Sequence, residues 1–319
     1  MYIILIISGL ILLILGAELL VRGASRIATF FGISPLIIGL TVVAYGTSAP
    51  ELAVSLKAGF SGSADIALGN VIGSNSFNVL LILGISALLT PLAVSFQLIR
   101  KEVPILIVIS AMTWIFAFNG RISRIEGFLL FLGFIIYTIF LIRYGKKVDN
   151  LTETLPIENK GLKSLFLQIL YVIAGLVLLV LGARWLVDGA VILALKFGIN
   201  ELVIGITIVA AGTSLPELAT SVVASIKGER DIAVGNVIGS NIFNILVVLG
   251  AASLFTGDIN AAPIAIKFDI PLMFGTSVLC LPIFFTGRRI SRIEGGLFLF
   301  IYIAYISFLI INSKLHFIV

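Results

Sequence analysis

The sequence predicts an all-α polytopic membrane protein, with ten transmembrane helices arranged as two inverted five-helix repeats. Three observations predict this fold. Of the 319 residues, 60% are hydrophobic and 12% are charged, whereas a soluble domain carries about 25% charged residues. Ten apolar runs are long enough to cross a bilayer. Long motifs also recur at one constant spacing, which indicates two homologous halves.

Each apolar run approaches the ~17–25 residues that cross a bilayer as a helix. The ten predicted spans are 2–21, 35–58, 65–90, 103–118, 125–142, 164–187, 201–226, 231–256, 268–286 and 293–312. An extended polar stretch at 145–162 separates the fifth and sixth spans and is predicted to be a linker. It divides the chain into a first five-helix repeat at 1–144 and a second at 163–319.

Two motifs establish the repeat. GLTVVAYGTSAPELAVS from Gly39 returns as GITIVAAGTSLPELATS from Gly205, and DIALGNVIGSNSFNVL from Asp65 returns as DIAVGNVIGSNIFNIL from Asp231, both at an offset of 166 residues. Because each half holds an odd number of spans, the second half enters the membrane from the opposite side, as in transporters with inverted repeats. The repeated stretches are 39–90 and 205–256.

The distribution of basic residues predicts the orientation. With the N-terminus outside, the inner segments carry twice as many Lys and Arg as the outer ones, as the positive-inside rule requires. Both termini are therefore predicted to be extracellular, the linker cytoplasmic and the protein a multi-pass protein of the plasma membrane. The same rule explains the net charge of +5 without a nucleic-acid partner.

Both halves are predicted to contain a broken helix. Pro50 has no N–H, so the carbonyl of Gly46 loses its helical partner, and Pro216 repeats the arrangement in the second half. Such a break is tolerated at membrane depth only beside protein or a wet cavity. We expect the freed carbonyls around Ala44 and Ala210 to act as oxygen ligands. A kink that serves only packing is the alternative, but a glutamate follows each proline.

Glu51 and Glu217 fall in the middle of their spans. A carboxylate at the centre of a membrane helix costs about 2.5–3.5 kcal/mol on insertion scales, and two of them in one cavity repel each other. A bound divalent cation removes both penalties. Helical spacing places further hydroxyl oxygens on the same face as each glutamate. These hydroxyls belong to Thr47, Ser48, Thr213 and Ser214.

The third and eighth spans supply an opposing polar wall. Their side chains Asn70, Ser74 and Asn78, mirrored by Asn236, Ser240 and Asn244, recur every four residues. We predict that Ser74, Asn78, Ser240 and Asn244 are ion ligands, and that Asn75 and Asn241 bind backbone instead. All these donors are oxygens, which suit hard cations, and Ca²⁺ accepts about 6–8 of them in loose geometry. Two Na⁺ balance two carboxylates as well as one Ca²⁺ does.

These motifs resemble the two repeats of the cation/Ca²⁺ exchanger superfamily, with the prokaryotic sodium/calcium exchangers most similar. The resemblance covers nearly the whole chain, and two copies of GTSxPE with GNVIGSNxFN are highly specific. It implies an ion site at mid-membrane and a sliding pair formed by spans one and six. The implied ligands are Glu51, Glu217, Thr47, Thr213, Ser48, Ser214, Ser74, Ser240, Asn78 and the carbonyls of Ala44 and Ala210. Asn244 stands where similar archaeal exchangers can carry aspartate.

Four functional classes are weighed. The leading hypothesis is antiport of Ca²⁺ against Na⁺, and the nearest alternative is Ca²⁺/H⁺ antiport, because buried glutamates can also carry protons. A passive channel is disfavoured by the inverted repeat with a closed acidic centre. An enzyme is disfavoured because no base-plus-nucleophile constellation is present. No cofactor and no obligate protein partner are predicted; the partners are the transported ions and the bilayer.

Overall fold

The fold is almost entirely helical. The computed structural model describes residues 2–149, 162–197, 208 and 210–315. The helices are α1 Tyr2–Phe31, α2 Pro35–Thr47, α3 Ala49–Phe60, α4 Asp65–Leu89, α5 Val103–Ala117, α6 Arg124–Asp149, α7 Leu162–Lys196, α8 Ala210–Gly212, α9 Leu215–Ile226, α10 Arg230–Thr256, α11 Ile270–Phe285 and α12 Arg292–Leu315. The strands are β1 Leu92–Ala93, β2 Arg121–Ile122, β3 Ile259–Asn260 and β4 Arg289–Ile290.

Within the described part of the chain, seven helices are long and apolar enough to cross a membrane: α1, α4, α6, α7, α10, α12 and α11 with its flanking turns. Helices α2 and α3 form a further broken span, bent by 42°. Helix α5 lies within the fourth predicted span and α9 within the seventh, and each helix is shorter than its predicted span. The prediction of a helical polytopic membrane protein is therefore confirmed. Residues 201–207 and 209 of the seventh predicted span lie outside the described residues.

Two helix boundaries differ from the predicted ones. Helix α1 continues ten residues past the predicted end at residue 21, because Arg22 and Arg26 end the apolar run without breaking the helix. It stops before Gly32, whose φ of +66° is costly for residues with a side chain. Helix α6 likewise extends to Asp149, into the stretch predicted as a linker, and residues 150–161 lie outside the described ones.

Four short strands correct the prediction of a purely helical chain. β1 pairs antiparallel with β4, and β2 with β3, so each pair joins the two halves at one membrane face. β2 and β4 begin the repeated RISRIEG sequence. In each copy a Ser–Glu pair then caps the next helix: Glu126 accepts from the N–H and hydroxyl of Ser123, and Glu294 does the same for Ser291. The four strands lie in loops between consecutive helices, where the two repeated halves come close together.

Helices α4 and α10 form the centre of the molecule. The most apolar stretch of α10 is entirely buried and that of α4 is 78% buried, whereas those of α1, α6, α7 and α12 are 17–28% buried. The outer helices therefore present apolar side chains to lipid. Helix α4 contains a π-helical segment at Asn78–Ile82, and α10 one at Asn244–Leu249. Such segments are rare in proteins overall, but those that occur are often found at functional sites.

Helices α1 and α7 pack against each other backbone to backbone. Glycines recur every seven residues on both helices, at positions 9, 16 and 23 of α1 and 175, 182 and 189 of α7. A Cβ at Gly16 would stand 2.8 Å from the carbonyl oxygen of Gly175, and one at Gly182 the same distance from that of Gly9. Only glycine allows this approach, so the two helices form one closely fitted antiparallel pair.

Candidate cation-binding site

The two helix breaks lie at equivalent serines. Ser48 separates α2 from α3 with φ −85° and ψ 6°, and Ser214 precedes α9 with φ −90° and ψ 7°. The prediction of a freed carbonyl at Ala44 needs correction, because that oxygen accepts hydrogen bonds from the N–H of Ser48 and the hydroxyl of Thr47. This helical bond survives because its donor, the N–H of Ser48, lies two residues before Pro50, whose missing N–H affects the Gly46 carbonyl instead. Ala210 begins α8, and its side chain is not described.

Glu51 and Glu217 lie in the first turns of α3 and α9, where the helix dipole favours negative charge. Their residues are 1% and 0% exposed. The serines at the breaks bind them crosswise: Ser48 Oγ donates to Glu217 Oε1 at 2.7 Å, and Ser214 Oγ donates to Glu51 Oε1 at 3.0 Å. Each carboxylate is therefore held by the break of the other half, which brings the two buried carboxylates close together.

A second crossed network joins α4 to α10. Asn75 Nδ2 donates to the backbone oxygen of Asn241, and Asn241 Nδ2 donates to that of Asn75, both at 3.2 Å. Asn78 Nδ2 then donates to Asn241 Oδ1 at 2.9 Å, and Asn244 Nδ2 to Asn75 Oδ1 at 3.1 Å. Asn75 and Asn241 thus bind backbone, as their sequence context predicts. The side-chain oxygen of Asn75 accepts from the amide of Asn244, and that of Asn241 accepts from the amide of Asn78.

Asn70 and Asn236 position the carboxylate helices. Asn70 Nδ2 donates to Ser55 Oγ at 3.0 Å and to the backbone oxygen of Glu51. Asn236 Nδ2 donates in the same way to Ser221 Oγ at 2.9 Å and to the backbone of Glu217. The recurrence of polar residues every four positions indicated Asn70 and Asn236. It did not indicate Ser55 and Ser221, whose only signal in the sequence was their position one turn after each glutamate.

Several buried oxygens point into the site without a partner. Among the described residues, Glu51 Oε2, Glu217 Oε2, Asn78 Oδ1, Asn244 Oδ1 and Thr213 Oγ1 are buried and form no hydrogen bond. Burying an unpaired carboxylate oxygen is costly unless a cation or proton meets it. No cluster of three or more His, Cys, Asp or Glu occurs in the described residues. The site is therefore two carboxylates with neutral oxygens.

The remaining predicted ligands lie around this centre. Ser214 Oγ contacts Ser74 Oγ at 3.1 Å, and Ser240 Oγ reaches the backbone oxygen of Ala44 at 3.5 Å. Thr47 Oγ1 donates to Asn236 Oδ1 at 3.1 Å. The structure thus brings together the side chains of Glu51, Glu217, Thr47, Ser48, Ser214, Ser74 and Ser240. The segments that begin at Asn78 and Asn244 pack against the helices of Glu217 and Glu51, and Thr213 precedes Ser214 in the chain.

An opening of about 230 Å³ lies beside the site, where it touches Thr213. It is lined by Val180, Ala183, Arg184, Val187 and Asp188 of α7, and by Pro50, Gly212, Thr213 and Pro216 at the breaks. On the opposite side the equivalent residues of α1 are closed off: Ala17 is 0% and Val21 is 1% exposed. Among the residues that the structure describes, the opening therefore lies on the α7 side, and the equivalent residues of α1 are buried.

Charged contacts hold the closed side. Glu18 pairs with Arg22 on its own helix and with Lys227 in the turn after α9. Ser25 Oγ of α1 donates to Glu229 Oε1 at 2.7 Å in the same turn. These contacts give Glu18 a structural position outside the pair of buried carboxylates. The repeat offset places Arg184 and Asp188 at the equivalent positions, and they line the open side.

Comparison with known proteins shows what the chain is similar to. The family model described as sodium/calcium exchanger protein matches residues 1–143 and 167–311. The inner membrane protein YrbG of Escherichia coli is 42% identical over 86% of both chains. The sodium/calcium exchanger MaX1 of Methanosarcina acetivorans is 33% identical over 93% of this chain and 95% of its own. A structure of the sodium-calcium exchanger NCX_Mj superimposes with a TM-score of 0.84 and 34% identity, covering 97% and 98% of the two chains.

Proposed function

Because the chain belongs to the sodium/calcium exchanger family of membrane transporters, we propose that it is a secondary antiporter that exchanges Ca²⁺ for Na⁺ at the site between Glu51 and Glu217. The observation that carries this proposal is the pair of crossed serine–glutamate hydrogen bonds. They orient one oxygen of each carboxylate and leave the other oxygen, Oε2, buried without a hydrogen-bond partner.

The chemistry of these oxygens supports alternating occupancy. One Ca²⁺ neutralises both carboxylates, and two Na⁺ do the same, so each cargo removes the cost of two buried like charges. All proposed ligands are hard oxygens, which Ca²⁺ accepts in irregular geometry. They are the side chains of Glu51, Glu217, Thr47, Thr213, Ser48, Ser214, Ser74, Ser240, Asn78 and Asn244 and the carbonyl of Ala210.

The topology supports an exchange mechanism. We propose ten membrane crossings in two inverted halves, residues 1–144 and 163–319, joined by a cytoplasmic linker, with both termini outside the plasma membrane. In that orientation the opening along α7 faces outward, and the Glu18–Lys227 contact closes the cytoplasmic side. The α1–α7 pair then slides to expose the same site to the cytoplasm.

The test uses the purified chain in proteoliposomes loaded with Na⁺, with equal pH on both sides and the membrane potential clamped. We expect uptake of radioactive Ca²⁺ that depends on the outward Na⁺ gradient and ceases when internal Na⁺ is replaced by choline. Uptake that instead follows an imposed pH gradient without Na⁺ would show a Ca²⁺/H⁺ antiporter. Uptake that needs neither counter-ion would show a channel.

Two variants test whether the Ca²⁺ uptake depends on the site between Glu51 and Glu217. Glu51→Gln should abolish uptake, because the remaining carboxylate cannot balance a divalent cation. Glu18→Gln serves as the matched control, since it removes a carboxylate of α1 that lies outside the cavity and should leave most of the exchange. Equal activity of the two variants would contradict the proposed site.

A further inference from the structure

A basic cluster surrounds one exposed aromatic ring at the membrane face that carries β1 and β4. The guanidinium carbon of Arg100 lies 4.3 Å from the ring centre of Phe96, and that of Arg288 lies 5.2 Å from it. The ring is 44% exposed. The strand pairing of β1 with β4 brings these two segments of the two halves together.

The backbone holds Arg288 in an unusual conformation. Its φ of +50° is the only positive value for a non-glycine residue in the described parts of the chain, and such values are uncommon. The N–H of Val94 donates to the Arg288 carbonyl at 2.9 Å and fixes the turn. Strained conformations of this kind cluster at ligand sites, and here the turn carries a guanidinium group to the ring.

The arginines of this cluster have no acidic partner among the described residues. Segments 90–101 and 286–292 contain Arg100, Lys101, Arg288, Arg289 and Arg292 and no Asp or Glu. Within the part of the chain that the structure describes, no carboxylate pairs with Arg100, Arg288 or Arg289. Glu102, which follows segment 90–101, is fully buried and accepts hydrogen bonds from Gln97 and Tyr137.

At the opposite membrane face, an acidic residue of the chain itself neutralises the positive charge of the same motif. There RISRIEG begins at Arg121, whose Nη1 lies 3.0 Å from Asp258 Oδ2, and the same carboxylate accepts from the N–H of Arg124. The corresponding stretch beside β4, residues 90–92, is Thr-Pro-Leu. The cluster around Phe96 therefore lacks the anion that its counterpart carries.

An apolar groove of about 470 Å³ runs from Arg100 along α11. Ile99, Leu281, Pro282, Phe285 and Thr286 complete its lining, and Phe285 is 69% exposed towards the membrane. A groove of this composition suits a hydrocarbon chain, while the guanidinium groups at its end suit a phosphate. A soluble anion would gain nothing from the apolar part.

We propose that this groove binds one anionic phospholipid, with its phosphate between Arg100 and Arg288 and an acyl chain along α11. The proposed orientation of the chain places the site in the cytoplasmic leaflet, whose surface carries anionic lipids. The lipid supplies the negative charge that Asp258 supplies on the opposite face, and it connects β1 with β4 across the two halves.

The test measures lipids retained by the purified protein in native mass spectrometry, after addition of phosphatidylglycerol or phosphatidylcholine. We expect one phosphatidylglycerol to be retained in preference to phosphatidylcholine. Replacing both guanidinium groups by amides, Arg100→Gln with Arg288→Gln, should weaken retention about 25-fold, or about fivefold for each arginine. Arg288→Gly provides a second variant that suits the positive φ and so keeps the turn.

The control is Arg26→Gln, which removes an exposed basic residue of α1 on the same proposed membrane side but far from the groove. It should retain the lipid as the unmodified chain does. Equal weakening by Arg26→Gln, or full retention by the double variant, would overturn the proposal. Displacement of the lipid by glycerol 3-phosphate, which lacks acyl chains, would also overturn it in favour of a simple phosphate site.

Discussion

Replacing Glu217 by glutamine tests the site without removing its hydrogen-bonding shape. The amide keeps an oxygen for Ser48, but one charge is lost from a cavity that is fully buried. Two unit charges about 4 Å apart interact by about 4 kcal/mol at an effective dielectric constant near 20, so the loss is about 8 kcal/mol for a divalent ion. Millimolar binding corresponds to only about 4 kcal/mol. Calcium binding should therefore disappear.

Thermal unfolding in detergent measures this loss. At about 100 times its dissociation constant, Ca²⁺ should stabilise the unmodified chain by about 2.7 kcal/mol and the variant by nothing. Without ions, the variant should be at least as stable as the unmodified chain, because an unpartnered buried carboxylate has become neutral. A variant that Ca²⁺ still stabilises fully would refute the ion site. A variant that is unstable without ions would show that Glu217 has a structural role instead.

Three further outcomes follow from the same contacts. Ser48→Ala and Ser214→Ala should each weaken Ca²⁺ binding by about 1.5–3 kcal/mol, the value of a hydrogen bond to a charged group, and calorimetry should find the two effects alike. Lys227→Gln should cost less than about 1 kcal/mol of stability, because its ion pair with Glu18 is partly exposed, yet it should raise the rate of Ca²⁺ release to the cytoplasmic side in proteoliposomes. Asn75→Ala should cost about 1–3 kcal/mol, since it leaves the buried Nδ2 of Asn244 without its acceptor; an unchanged unfolding midpoint would contradict this.

The repeat in the sequence carried most of the information about the site. An identical offset for the GTSxPE and GNVIGSNxFN motifs predicted that the two halves would meet as equivalents, and the crossed serine–glutamate and asparagine bonds have that symmetry. Apolar runs predicted where helices lie, because lipid exposure leaves few other backbone solutions. Ligation of an ion by these residues stays a prediction.

Features set by local geometry were not predicted. The break lies at Ser48, and the Ala44 carbonyl stays bonded, since a proline identifies a bend but not which turn absorbs it. The glycine pairs at 69/73 and 235/239 are equivalent in the sequence but pack differently. Gly239 does approach the backbone of Leu40, but no described residue comes within 4 Å of a Cβ built at Gly73. The strands depend on contacts between halves that no local pattern encodes.

The glycine-lined contact between α1 and α7 has a consequence for leakage. Because the backbones touch at these glycines, a shift of one helix along the other would force backbone atoms into collision. We therefore expect the pair to move as one rigid body. In the proposed mechanism, a motion that uncovers Val187 on one side therefore brings Val21 towards the other side. The two openings would then not be accessible together, and we expect no leak of ions down their gradient.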